Sequence, residues 1–131
     1  MSDHDTICAL ATAVGGAVAV IRLSGPEAVQ VAERVWQGER RLAEAPARQL
    51  LLGRLLGSEG EGIDPQCLAV RMPGPNSYTG EDVVELQCHG GALVARLALQ
   101  ALLRQGARHA EPGEFTRRAF LHGKIDLTQA E

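Results

Sequence analysis

The stretch Val83-Val84-Glu85-Leu86-Gln87-Cys88-His89-Gly90-Gly91 decides the fold. Period two puts Val84, Leu86 and Cys88 on one face and Glu85, Gln87 and His89 on the other, the pattern of a strand with one buried and one polar side. Two glycines close it. A helical period then runs from Ala92 to Gln105, with Val94, Leu97, Ala98, Ala101 and Leu102 as its apolar stripe and Gly106 as the residue past its end. A half-buried strand feeding a helix implies a sheet with helices packed on its apolar face.

The chain upstream fits that plan. Residues 6–11 and 17–24 read as strands joined through Gly15-Gly16. Ser24-Gly25-Pro26-Glu27 opens a helix in which Ala28, Val31, Ala32, Val35 and Trp36 face the core, and Gly38 ends it. After a charged connection over 39–47, strands are predicted at Arg48–Leu56 and Gln66–Met72, separated by the turn Gly57-Ser58-Glu59-Gly60-Glu61-Gly62. Pro73-Gly74-Pro75-Asn76 stops the second of these. Downstream, Arg108–Glu111 is a short strand, and Pro112-Gly113-Glu114 opens a short helix to Leu121. Asp126 and Gln129 then have capping-box spacing for a helix that has barely begun. The order predicts an α+β (mixed α/β) domain, a mixed β-sheet with packed helices. It divides into a domain over 1–120 and the start of a following helical domain over 121–131.

Composition narrows the function. Hydrophobic residues are 45% and charged residues 22% of 131, a globular balance. Thirteen Lys and Arg against sixteen Asp and Glu give a net charge of -3, and aromatics are 3%. Stand-alone nucleic-acid binding is therefore disfavoured, since it needs a basic stripe or a stacking platform. The acidic start is the reverse of a secretory leader, and the uncharged run Thr6–Ile21 is too short for a membrane span. Three cysteines without a CxxC predict reduced thiols, a cytoplasmic protein and no metal site. Walker A, G-x-G-x-x-G and nucleophile-elbow patterns are absent, so no catalytic residue is assigned.

Three residues stand out. Glu85 belongs either to an ordinary half-exposed strand after a Pro/Gly loop, the reading the residues alone favour, or to a ligand face. On such a face it would offer two parallel acceptors to an amidine-like edge such as a pterin carries, held by a rigid strand. Arg22 ends an apolar strand, either as an ordinary surface arginine or as an anion clamp. Lys124 is the only lysine, against twelve arginines; it is either a chance survivor or a required ammonium.

These residues sit in blocks that resemble a known family. Asp5-Thr6-Ile7, Ile21-Arg22-Leu23-Ser24-Gly25, Pro75-Asn76-Ser77-Tyr78-Thr79-Gly80-Glu81-Asp82-Val83-Val84-Glu85 and His89-Gly90-Gly91 match in order and spacing. So do Glu111-Pro112-Gly113-Glu114-Phe115-Thr116, Arg118-Ala119-Phe120-Leu121 and Gly123-Lys124-Ile125-Asp126-Leu127-Thr128-Gln129-Ala130-Glu131. The chain is similar to the N-terminal domain of the tRNA-modification GTPase family MnmE, also called TrmE.

The resemblance implies a module like the folate-binding part of the glycine-cleavage T-protein. It would bind a tetrahydrofolate derivative (5-formyl- or 5,10-methylene-tetrahydrofolate) through Arg22, Glu85 and Lys124, and form a homodimer. The parent protein would bind GTP, Mg and K through regions outside this chain. With an FAD-dependent MnmG-type partner it would add a carboxymethylaminomethyl group to C5 of the wobble uridine of certain tRNAs. Where the family carries a Pro-Pro-Gly-Arg-Gly-Gly-like loop, this chain has Ala13-Val14-Gly15-Gly16-Ala17, one residue shorter and without the arginine. The alternatives are a structural dimerisation module without folate affinity and a stand-alone aminomethyltransferase.

Overall fold

The alternation over 83–89 becomes the central strand of a seven-stranded sheet. The computed structural model describes residues 4–125. Its elements are β1 (Ile7–Leu10), β2 (Val18–Ser24), α1 (Ala28–Glu33), β3 (Trp36–Gly38), a 3-10 turn (Leu42–Glu44), β4 (Leu51–Leu56), β5 (Gly62–Met72), β6 (Val83–His89), α2 (Ala92–Arg104), β7 (Arg108–His109) and α3 (Glu114–Leu121). The strand order is β3-β4-β5-β6-β2-β1-β7. All neighbours are antiparallel except β1 and β7, so the sheet is mixed and the fold is α+β.

Register puts the apolar half of β6 in line with its neighbours: Leu86 lies opposite Ile21 of β2 and Ala69 of β5, and Val84 opposite Leu23. These residues are fully buried under α1 and α2. Each large aliphatic side chain taken from water there contributes roughly 1.5–3 kcal/mol. The helices meet the sheet mainly through small residues. Helix α1 offers Ala28, Val31 and Ala32, and α2 offers Ala95, Ala98, Ala101 and Leu102.

Two expectations are corrected. The stripe of α2 is rotated from the predicted one: Leu97 is 36% exposed, Val94 is only partly buried, and Ala95 takes an inward place. Alanine on the inner side lets the helix axis come closer to the sheet than leucine would, so the larger side chain turns outward. The first helix also ends at Glu33, and Trp36 belongs to β3 opposite Leu55. Its ring lies against Gly53, where an added Cβ would come within 2.6 Å of it, and its indole N–H donates to the Cys67 carbonyl at 3.0 Å. A buried indole N–H needs such a partner, and a helical Trp36 would have none there. The helix start expected from Asp126 lies outside the described residues.

Candidate ligand-binding site

The polar half of β6 shares the second sheet face with β2, where Arg22 stands directly opposite Glu85. Arg22 Nε donates to Glu85 Oε2 at 3.0 Å, and its Nη2 lies 2.9 Å from the same oxygen. Both bonds go to one carboxylate oxygen, so Glu85 Oε1 accepts no hydrogen bond from the described residues. The side chains are 30% and 19% exposed, half-buried rather than sealed. The Arg22 guanidinium carbon lies 5.8 Å from the ring centres of both Tyr78 and Phe115, within reach for cation–π attraction. Tyr78 comes from the Pro/Gly segment after β5 and Phe115 from α3. Their elements are tied by the Tyr78 hydroxyl and Thr116 Oγ1 at 3.0 Å.

Lys124 does not join this pair. Its Nζ donates to the Pro75 carbonyl at 3.0 Å, on the same segment that carries Tyr78. Gly80 makes this approach possible. It sits at φ +85°, and a Cβ there would come within 2.8 Å of His122 Cβ and 3.5 Å of Lys124 Cγ. The structure thus pairs Arg22 with Glu85 and holds Lys124 against the loop beside them. Gly90 plays a similar part at the other end of β6. A Cβ there would run into the Gly16 carbonyl, and the Gly90 N–H donates to the Ala17 carbonyl at 2.8 Å. The short 13–17 loop is thereby held against the end of the strand that carries Glu85.

Helix α3, which brings Phe115 to Arg22, also carries Arg118 and Glu114 of a charge cluster that single-residue reading of the sequence missed. Arg118 of α3 is 0% exposed, and it bonds to Asp5 Oδ1 at 2.7 Å, to the Asp5 carbonyl at 2.6 Å and to Glu81 Oε1 at 3.1 Å, with Glu114 Oε2 at 3.4 Å. Arg108 grips Asp5 at 2.6 and 3.1 Å and Glu114 at 3.1 and 2.6 Å, a fork on each carboxylate. Hydrogen bonds from Arg108, and then from Arg118, hold Asp5 down at about 2 from 3.8, against the upward pull of burial. Burial would raise Glu114, but bonds from Arg108 and from the Glu111 N–H outweigh it and lower its pKa. Ser24 Oγ donates to Glu81 Oε1 at 2.7 Å and lies 2.7 Å from Thr79 Oγ1, whose hydroxyl is left to donate to it. The Ser77 hydroxyl bonds to the Glu81 carbonyl. Both serine hydroxyls are thus engaged in hydrogen bonds within the chain. The i,i+4 spacing of Glu114 and Arg118 was the available signal for the cluster.

Elsewhere on this face, buried Asp64 accepts from the His89 N–H at 2.7 Å and lies 2.8 Å from His89 Nδ1. Burial pushes its pKa up, but these bonds and one from the Gln66 N–H bring it below its ordinary value. Among the described residues no group of three His, Cys, Asp or Glu could hold a metal ion, and no helix is long and apolar enough to cross a membrane.

The chain's sequence matches a known family. A family model described as the GTP-binding protein TrmE N-terminus matches residues 6–124. Proteins named tRNA modification GTPase MnmE align over nearly the whole chain. The Symbiobacterium thermophilum protein is 52% identical, covering 98% of this chain and 28% of its own length. That of Salinibacter ruber is 52% identical, covering 100% and 28%, and that of Shouchella clausii 45%, covering 98% and 28%. The chain therefore spans under a third of these relatives. Both the Arg22–Glu85 pair and Lys124 fall inside the matched region, and the chain belongs to the TrmE N-terminus family.

Proposed function

We propose that this domain binds a tetrahydrofolate derivative at Glu85. The observation that carries the reading is the open Oε1 of a half-buried carboxylate whose arginine partner lies against two aromatic rings. A pterin presents adjacent N–H donors on one edge, and a carboxylate on a rigid strand accepts them as a parallel pair. Arg22 already neutralises Glu85, which makes it tolerable to hold a carboxylate away from bulk water. A pterin edge arriving at Glu85 would release the guanidinium to contact the ligand. Lys124, on its flexible stem, would supply the second positive contact. When bound, the folate supplies the one-carbon unit; the residues here bind and orient it and carry no proton-transfer step.

The remaining expectations belong to the same reading. The exposed Val18 and Leu52, with a cleft of about 280 Å³ between Val18, Leu52, Leu68 and Gln87, support pairing of two copies into a homodimer. The parent protein would bind GTP, Mg and K through regions outside this chain. In the cytoplasm, with an FAD-dependent MnmG-type partner, it would add the carboxymethylaminomethyl group to C5 of wobble uridine in certain tRNAs. Residues 1–120 would form the folate module, with a helical domain beginning within 121–131.

Two small ligands test the pterin reading. 5-Formyltetrahydrofolate should bind saturably, whereas p-aminobenzoylglutamate, which keeps the tail and lacks the pterin, should compete only weakly. Equal competition would place recognition on the tail and remove Glu85 from the account. No binding of either by a folded dimer would favour a structural dimerisation module.

A further inference from the structure

Cys67 and Cys88 face each other across the middle of the sheet. Strands β5 and β6 pair with Leu68 opposite Gln87, so the next step of the register sets Cys67 opposite Cys88 on the core face. Their sulfurs are 3.6 Å apart, and the residues are 0% and 2% exposed. Opposed residues of antiparallel strands have Cα atoms about 4.5–5.5 Å apart, inside the roughly 4.4–6.8 Å that a disulfide spans. Closing the sulfurs to bonding distance requires an approach of about 1.5 Å, within reach of side-chain rotation. The third cysteine, Cys8, is buried on β1 opposite Leu23.

We propose that Cys67 and Cys88 form a redox modification site, a dithiol that a peroxide converts reversibly into a cross-strand disulfide joining β5 to the strand that bears Glu85. One sulfur attacks the peroxide O–O bond, becoming a sulfenic acid as the first water leaves. The second sulfur then displaces the sulfenic oxygen as a second water. Two thiols and one hydrogen peroxide thus give one disulfide and two waters; the sulfurs lose two electrons and the peroxide gains them. A dithiol reductant reverses the change by exchange. The hydrogen bond with Cys88, together with burial, raises the Cys67 pKa well above the usual thiol range. Little thiolate is therefore present, and the reduced pair reacts slowly with peroxide.

The site can be tested on the folded chain with hydrogen peroxide, followed by denaturation and alkylation. The expected result is loss of two of the three alkylatable thiols and a mass lower by two hydrogens. A peptide map should link Cys67 to Cys88, and dithiothreitol should restore all three thiols. Trp36, the only tryptophan, hydrogen-bonded to the Cys67 carbonyl, should lose emission as the bridge forms. A Cys8→Ser variant should give the same bridge. Circular dichroism after oxidation establishes that the chain stayed folded. Three thiols surviving in a folded protein would overturn the proposal. So would a bridge that includes Cys8, added oxygen without a bridge, or a bridge formed only in urea.

Discussion

Two arginine–carboxylate assemblies sit a few residues apart in this domain, and they differ in how deeply each charge is buried and how many carboxylates share it. Arg118 is sealed, and its guanidinium is shared among Asp5, Glu81 and Glu114, with Arg108 closing the ring. Arg22 is half-exposed and gives both of its bonds to one oxygen of Glu85. A charge buried among internal carboxylates is out of a ligand's reach, whereas an ion pair at the surface with an open acceptor can exchange partners. The first assembly ties the chain start, the loop before β6 and α3 together. The second lies on the platform those elements create.

The comparison breaks first at Arg118. Replacing it with Met leaves the largely buried Glu81 without its arginine and takes one of two arginines from Asp5 and Glu114. Breaking such a buried pair should cost roughly 3–5 kcal/mol. In a domain of ordinary stability that is much of the total, and urea titration should show a large fall in midpoint. A loss under about 1 kcal/mol would mean that the cluster is solvated and the contrast false.

Acid should act on the same assembly more gently. Asp5 is held at about 2 against an ordinary 3.8, so its stabilising contribution is fully present above the ordinary value and is lost as pH falls through that range toward 2. Its side chain is 35% exposed, and with allowance for solvent screening the contribution is about 1 kcal/mol. Stability measured from neutral pH downward should decline more steeply in this window than it does for Asp5→Asn. Parallel curves would remove Asp5 from the network.

The smallest effect sharpens the other side. Lys124→Ala removes one exposed bond to the Pro75 carbonyl and should change stability by no more than about 0.5 kcal/mol. Folate affinity should still fall by a few-fold. Unchanged affinity would leave Lys124 as a loop fastener.

How far the sequence could be read follows from the range of each interaction. The β6 alternation was visible because Val84, Leu86 and Cys88 obey a period set by the strand itself, and Glu85 followed from it. Trp36 was misread because its apolar neighbours fit a helix equally well. What decides its place is Gly53 and the Cys67 carbonyl, both distant in the chain. The outward turn of Leu97 likewise depends on how closely α2 approaches the sheet. Tyr78 and Phe115 flank Arg22 only because two separate segments fold together. Asp5 meets Arg118 across 113 positions, a separation that no local pattern encodes.

The most direct measurement is a calorimetric titration of 5-formyltetrahydrofolate into the chain and its Glu85→Ala variant, with thermal melts of both. Each bond to a charged acceptor is worth about 1.5–3 kcal/mol. The variant should therefore bind at least about 100-fold more weakly while its stability shifts by no more than about 1 kcal/mol. Unchanged affinity, or a loss of affinity matched by an equal loss of fold, would show that the Arg22–Glu85 pair is structural like the Arg118 cluster, and would contradict the account.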